Sequence, residues 1–237
     1  MEIQQRIDTY EISDEVKEIV RSTPIVLLVG VSGAGKDSIK HRLLDTGEYH
    51  HIVSHTTRTP RENNGVLEQD GIDYHFITRE ESLKMLDAQE YIEAKIYSGN
   101  IYGTSVAEIE KARDNHKIAI TDLDVQGVAE YKEFAPSVIA VFVLPPNYAE
   151  WQRRLQQRYG NGGSDPEDMQ KRMVTAISEL EEALEKPYYH FVVNEKLDEA
   201  VEAVNSIAHH HDEFTTIDTS FRVWAEKLLS DLRQGQE

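Results

Sequence analysis

Apolar positions along the chain fall into two alternating patterns. Short β-branched runs occur at Ile25–Val29, Ile118–Thr121, Val138–Val143 and Phe191–Val193. The first and third are nearly continuous apolar stretches, which predicts parallel strands covered on both faces. Helical spacing separates the runs. Ile39 and Leu43 follow the first, and Trp151 and Leu155 follow the third. Met169, Met173, Ile177, Leu180 and Leu184 then make a longer stripe that Pro187 stops. Strands alternating with helices predict βαβ crossovers and an α/β fold with a doubly covered sheet.

Polar punctuation refines this outline. Thr78-x-x-Glu81, Ser105-x-x-Glu108 and Ser164-x-x-Glu167 fit the capping box, the last with Pro166 near the first turn. From about residue 50 to 104 the alternation breaks. Strand-like pieces at Tyr74–Ile77 and Tyr91–Tyr97 predict an inserted, partly antiparallel lobe. The polar, glycine-rich stretch Tyr159–Asp165 is a candidate hinge or moving flap between two helices. Ile12, Val16, Ile19 and Val20 mark an amphipathic helix before the first strand. Phe221, Trp224, Leu228 and Leu232 mark another near the end, with Thr219 or Ser220 as its cap. Both are expected to pack on the domain or on a second subunit. No internal repeat or low-complexity tract is visible.

Composition narrows the function classes. The 237 residues suffice for one domain with an inserted lobe and a sizeable core. Forty-three acidic against 25 basic residues give a formal charge of −18, which excludes a broad basic nucleic-acid footprint and a polybasic membrane tail. The absence of cysteine removes disulfides, thiolate zinc sites and iron–sulfur clusters. Consecutive histidines at His50-His51 and His209–His211 are not expected to converge on one metal ion. The start of the chain lacks a basic segment followed by an apolar run, and no stretch approaches roughly 18 apolar residues. The expectation is a cytoplasmic protein with no membrane or nucleic-acid partner. Any anion site must concentrate positive charge locally.

One such place directly follows the first apolar strand, at Gly30-Val-Ser-Gly-Ala-Gly35-Lys36. Glycines let the backbone curl so that successive N–H groups point at a phosphate. The helix that opens here adds its positive end, and a lysine reaches the β- and γ-phosphates. Gly30, Ser32, Gly33, Ala34, Gly35, Lys36, Asp37 and Ser38 are therefore candidate ATP phosphate ligands. The full P-loop pattern asks for Ser or Thr after the lysine, where Asp37 stands, with Ser38 next. An added negative charge ~4 Å from a phosphate costs about 1 kcal/mol at bulk dielectric and about 4 at an effective value of 20. A carboxylate that ligates Mg²⁺ offsets much of that. The expectation is that Asp37 makes nucleotide binding more strictly dependent on Mg²⁺.

A second concentration of charge lies at Ser54-His-Thr-Thr-Arg58-Thr-Pro-Arg61. Two arginines three apart can fork onto one phosphate. Downstream, Tyr74 and Tyr102 can donate phenolic hydroxyls to the same group. Glu93, an acceptor only, suits the N1–H and exocyclic amine edge of guanine.

With these blocks in order, the sequence resembles the guanylate kinase family from about Pro24 to Ile207. The resemblance rests on the P-loop, Ser-His-Thr-Thr-Arg-Thr-Pro-Arg, Asp73-Tyr-His-Phe, Ile92-Glu, Gly99-Asn-Ile-Tyr-Gly-Thr, Asp122-Leu-Asp-Val-Gln-Gly and Val193-Asn194. It implies a P-loop NTPase three-layer fold with a parallel sheet core, a mixed α/β GMP-binding lobe (about 53–105) and a helical lid (about 150–175). The domain would span 24–208, between helical extensions at 1–23 and 209–237. The activity implied is phosphoryl transfer from ATP, with Mg²⁺, to GMP and to dGMP. By resemblance Arg58, Arg61, Tyr74 and Tyr102 clamp the GMP phosphate. Ser54, Glu93 and Asp124 read guanine, with Thr104 close by. Asp122 lies near metal and phosphates, so Asp37, Ser38 and Asp122 are the candidate Mg²⁺ ligands. Arg154, Arg158 and Arg172 resemble the lid arginines that, with Lys36, neutralise charge on the transferred group. The partners implied are small nucleotides, on a monomer or a homodimer.

Two departures keep competing readings in view. Gly-Lys-Asp-Ser is characteristic of a related ribose 1,5-bisphosphate kinase, although that relative lacks the Ser-x-Thr-Thr-Arg-x-Pro-Arg block and the guanine-reading Glu. The segment between Arg61 and Tyr74 is about four residues longer than usual for the family. A non-catalytic interaction module of the same fold is the other alternative, disfavoured by the presence of Lys36 and the lid arginines.

Overall fold

A computed structural model describes residues 3–63, 65–159, 166–210 and 219–235. The chain begins with helices α1 (Ile3–Asp8) and α2 (Asp14–Ser22), strand β1 (Ile25–Val29) and helix α3 (Lys36–Asp45). Short strands follow: β2 (Tyr49–His51), β3 (His55–Thr56), β4 (Glu62–Asn63), β5 (Val66–Leu67) and β6 (His75–Phe76). Next come α4 (Arg79–Asp87), β7 (Tyr91–Tyr97), β8 (Asn100–Ser105), α5 (Val106–Asp114), β9 (Ile118–Asp122) and α6 (Val125–Phe134). The remainder is β10 (Ile139–Leu144), α7 (Tyr148–Tyr159), α8 (Pro166–Glu185), β11 (Tyr189–Val193), α9 (Leu197–His210) and α10 (Thr219–Gln234). Contacts divide the chain into two units, residues 1–24 with 49–119 and residues 25–48 with 120–237.

In the second unit, strands β11, β10, β1 and β9 lie side by side in that order. β1 and β10 pair in parallel, as do β10 and β11, with Val26 opposite Ile139 and Phe142 opposite Phe191. Every residue of β1 and β10 is buried, which is why their sequences are apolar throughout rather than alternating. Trp151, Leu155, Leu180 and Val204 bury the inward stripes of α7, α8 and α9. Helix α10 packs on α8 and β11, and the Arg222 guanidinium donates to the carbonyls of Leu184 and Lys186. The stripe read for α10 is only half correct. Leu228 and Leu232 are buried together with Ala225, whereas Phe221 and Trp224 face solvent.

The first unit holds the partly antiparallel lobe. Its sheet runs β6-β3-β8-β7, with β3 parallel to β6 and β8 antiparallel to both β3 and β7. Helix α1 carries no strong sequence signal, having one buried apolar residue in six. It is held because Ile7 packs against Leu86, Tyr91 and Ile101, while the Tyr10 hydroxyl donates to the Tyr91 carbonyl at 2.5 Å. The extra residues after Arg61 build a hairpin, β4 on β5, that leaves Val66 and Leu67 exposed.

The capping boxes divide. Thr78 and Glu81 complete theirs at α4. Ser105 precedes α5 but makes no cap bond, and Glu108 turns inward instead of back to the helix start. The Ser164 box and the glycine-rich link lie outside the described residues, as do the side chains of Thr219 and Ser220. The sheet is the part most sensitive to truncation. Leu28→Ala, on a strand buried on both sides, is expected to lower unfolding free energy by about 2–5 kcal/mol, seen as a lower urea midpoint at unchanged m-value.

Candidate active site

The loop between β1 and α3 is shaped by backbone constraints that only glycine meets. Gly30 has φ +135°, and a Cβ there would lie 2.2 Å from the Val143 carbonyl oxygen of β10. Gly35, with φ +97°, is the N-cap of α3, and a Cβ there would meet the Asn194 side-chain nitrogen at 2.2 Å. The loop is then tied down from three sides. The Trp151 indole N–H donates to the Ser32 carbonyl at 2.8 Å, and the Asn194 amide donates to the Ala34 carbonyl at 2.8 Å. Arg154 donates to Ala34 at 3.4 Å and to the Asn194 carbonyl at 2.9 Å. The Lys36 ammonium folds back onto the Gly30 carbonyl at 2.5 Å. A cavity of about 580 Å³ is lined here by Gly33, Gly35, Lys36, Asp37, Ser38 and Arg154 among others.

Asp122 ends β9 and Asp124 caps α6, accepting from the Gly127 N–H at 2.7 Å. Asp122 is engaged by a residue the sequence reading missed. The Lys40 ammonium lies 2.5 Å from Asp122 Oδ1 and 3.9 Å from Asp37 Oδ1. Burial pushes the Asp122 carboxyl up, but Lys40 and Lys36 prevail and hold it below the usual carboxylate range. Ser32 and Arg172 line a second cavity of about 300 Å³ together with Glu179, another residue not anticipated. Burial raises the Glu179 carboxyl to about 7 against the pull of Lys36.

The first unit gathers Arg58, Tyr74 and Tyr102. Arg58 is 8% exposed, and a buried guanidinium needs partners. Its Nε donates to the Tyr102 hydroxyl at 3.1 Å and its Nη1 to the Thr59 carbonyl at 2.9 Å. The fork itself closes on Glu68, Nη1 to Oε2 at 2.7 Å and Nη2 to Oε1 at 3.0 Å. Glu68 also accepts the Arg61 backbone N–H at 2.8 Å, while the Arg61 side chain is exposed. The guanidinium lies 5.3 Å from the Tyr74 ring centroid and 5.8 Å from that of Phe76. On the β7–β8 pair, Glu93 faces Thr104, whose hydroxyl donates to Glu93 Oε1 at 2.8 Å. Ser54 precedes β3, and its carbonyl accepts the His75 N–H at 2.9 Å.

A glycine loop opening a helix with a lysine, and a separate lobe with an arginine in an aromatic box, agree with one family. The family model described as guanylate kinase matches residues 21–211. This chain belongs to the guanylate kinase family. The guanylate kinase of Schizosaccharomyces pombe is 37% identical over 186 residues, covering 77% of this chain and 88% of that protein. That of Campylobacter jejuni (strain RM1221) is 35% identical over 190 residues, covering 79% and 88%. The crystal structure of guanylate kinase from Anaplasma phagocytophilum has a TM-score of 0.57 at 25% identity, covering 81% of this chain and 88% of that one. The likeness in structure places this chain in the P-loop NTPase fold, and its chemistry is that of a nucleoside monophosphate kinase.

Of the arginines expected to form a lid, Arg154 bears on the loop between β1 and α3 and Arg172 on the second cavity. Arg158 falls on α7 with its side chain outside the described residues. Glu68 went unread, and Glu108 was read only as part of a helix cap, because most of their partners are contributed by other elements. Among the described residues no helix is long and apolar enough to cross a membrane, and no cluster of three acidic or histidine residues fits a metal ion.

Glu108 is the hub of the first unit's partly antiparallel lobe. Buried at 1% exposure, it accepts from the Val53 N–H at 3.2 Å and from Lys111 at 2.5 Å. His50 and His75 approach it at 3.3 and 3.1 Å through Nε2. It thereby ties α5 to β2, to the backbone just before Ser54, and to the neighbour of Tyr74. Burial pushes this carboxyl up, but His50, Lys111, the Val53 N–H and His75 more than offset that and hold it far below 4.5. A carboxyl depressed in the folded state stabilises fully above its unfolded pKa and loses that contribution as pH falls toward the folded one. Glu108→Gln is expected to cost about 1–3 kcal/mol at pH 7. The gap to wild type in urea unfolding should narrow as pH drops below 4.5. A gap unchanged by acid would mean that packing alone holds this residue.

Proposed function

We propose that this chain transfers the γ-phosphoryl group of ATP to GMP, giving ADP and GDP, with dGMP as a second acceptor. The observation that carries the assignment is the Arg58 pocket. A buried guanidinium backed by the Tyr102 hydroxyl and the Tyr74 ring already holds a carboxylate in its fork. That carboxylate has the shape and charge sign of the phosphate the pocket is read as taking. Glu93 on the same sheet supplies an acceptor for a guanine edge. Arg61 and the hydroxyls of Tyr74 and Tyr102 complete the phosphate clamp, and Ser54, Asp124 and Thr104 complete the base site.

On the donor side, the N–H groups from Gly30 to Ser38 and the positive end of α3 receive the ATP phosphates. Lys36 leaves the Gly30 carbonyl for the β- and γ-phosphates. Phosphoryl transfer asks little covalent chemistry of a protein, so Lys36 with Arg154, Arg158 and Arg172 acts by neutralising charge on the moving group. Holding both substrates supplies the orientation, and closure over them excludes water.

The donor set fits Mg²⁺. Asp37 and Asp122 already converge on one cation, the Lys40 ammonium, and Mg²⁺ is held by one or two carboxylates plus substrate phosphates. Asp37, Asp122 and the Ser38 hydroxyl would hold the ion, which when bound supplies charge neutralisation at the β- and γ-oxygens. A soluble cytoplasmic setting suits this chemistry.

Asp37-Ser38 keeps a ribose 1,5-bisphosphate acceptor in the comparison. Release of ADP in a coupled assay with GMP, dGMP, IMP, AMP and ribose 1,5-bisphosphate decides between acceptors, and turnover is expected with GMP and dGMP. Glu93→Gln should lower kcat/KM for GMP by about 10–100-fold, the worth of charge-assisted bonds to the base, with ATP affinity unchanged. Equal losses for both nucleotides would remove Glu93 from the base site. Lys36→Ala should lower kcat by at least about 10²-fold, with GMP binding still measurable by calorimetry.

A further inference from the structure

Asp37 puts a negative charge on the first turn of the helix that is to receive polyphosphate, and one turn later Lys40 buries a positive one. Lys40 is 8% exposed, an unusual burial for an ammonium unless it is paired. Its Nζ lies 2.5 Å from Asp122 Oδ1 and 3.9 Å from Asp37 Oδ1. Lys40 and Asp37 are three residues apart on α3, so the helix itself sets that contact. Asp122 comes to the same ammonium from the end of β9. Lys36 and Lys40 together balance Asp37 and Asp122. With Lys40 neutral, the cluster would carry one net negative charge where the phosphates are read as sitting.

We propose that Lys40 is a positioning residue of the donor site, a built-in cation bridging Asp37 and Asp122 so that nucleotide phosphates can enter before a divalent cation does. The bridge sets a positive charge against both carboxylates beside the cavity that the anion enters. A divalent ion taking the same oxygens must displace the ammonium, so Lys40 also weakens the preference for the metal-bound nucleotide. Asp37 alone would make binding strictly metal-dependent, and Lys40 relaxes that dependence. The inference rests on the donor-site reading above.

Calorimetric titration with ADP, in EDTA and in excess Mg²⁺, tests it without turnover. Lys40→Met keeps the length and apolar stem of the side chain and removes the charge. Metal-free ADP affinity should fall about tenfold, while affinity in Mg²⁺ changes by less than about threefold. Asp37→Ser in the Lys40→Met background should restore metal-free affinity, since the uncompensated charge is gone. Lys40→Arg should stay near wild type and serves as the folded comparison if the methionine variant is unstable. Equal losses with and without Mg²⁺, or no rescue by Asp37→Ser, would overturn the role of Lys40 and leave the donor site standing. If wild type binds no ADP in either condition, the donor-site reading itself fails.

Discussion

The phosphate loop depends on a close approach between two main chains. Gly30 lies so near the Val143 carbonyl that no side chain fits between them, and this is possible only because β1 and β10 pair in parallel and both end there. The loop therefore leaves the sheet at a set place and direction. Trp151, Asn194 and Arg154 then fasten its carbonyls, so that the loop's shape is set before any anion arrives. Such preorganisation is what a site for a mobile polyanion needs, since none of the binding energy is consumed in folding the loop.

How much of this was legible in the sequence follows from how far apart the partners are. The β1 run, the glycine pattern and Lys36 are contiguous, so periodicity and spacing sufficed for them. The Thr78–Glu81 cap is likewise local and forms as read. Ser105 and Glu108 carry the same local signature and do something else. His50, Val53 and His75 offer the Glu108 carboxylate more than one backbone N–H can, and those partners lie 33 to 58 positions away. Tertiary competition overrode a good local motif. Lys40 escaped notice for a similar reason, because its main partner is 82 positions distant. Glu68 is only ten residues from Arg58, yet the pairing needs the hairpin at 62–67 to bring it back.

The acidic composition acquires a structural meaning from these pairs. In a chain of net charge −18, two arginines read as phosphate ligands are held beside carboxylates, Arg58 by Glu68 and Arg154 by Glu150, and Lys40 is held by Asp122. Arg58 and Lys40 are largely buried, and their carboxylates hold them in place without an anion present. On the reading proposed above, a phosphate arriving at Arg58 exchanges one set of oxygens for another rather than recruiting a disordered side chain.

The tie between Trp151 and Ser32 has an optical corollary. The chain has two tryptophans. The Trp151 indole is 1% exposed with its N–H on the loop carbonyl, whereas Trp224 is 43% exposed on α10. Acrylamide quenches the second and spares the first. The residual emission thus becomes a native, label-free gauge of whether the cradle has changed shape.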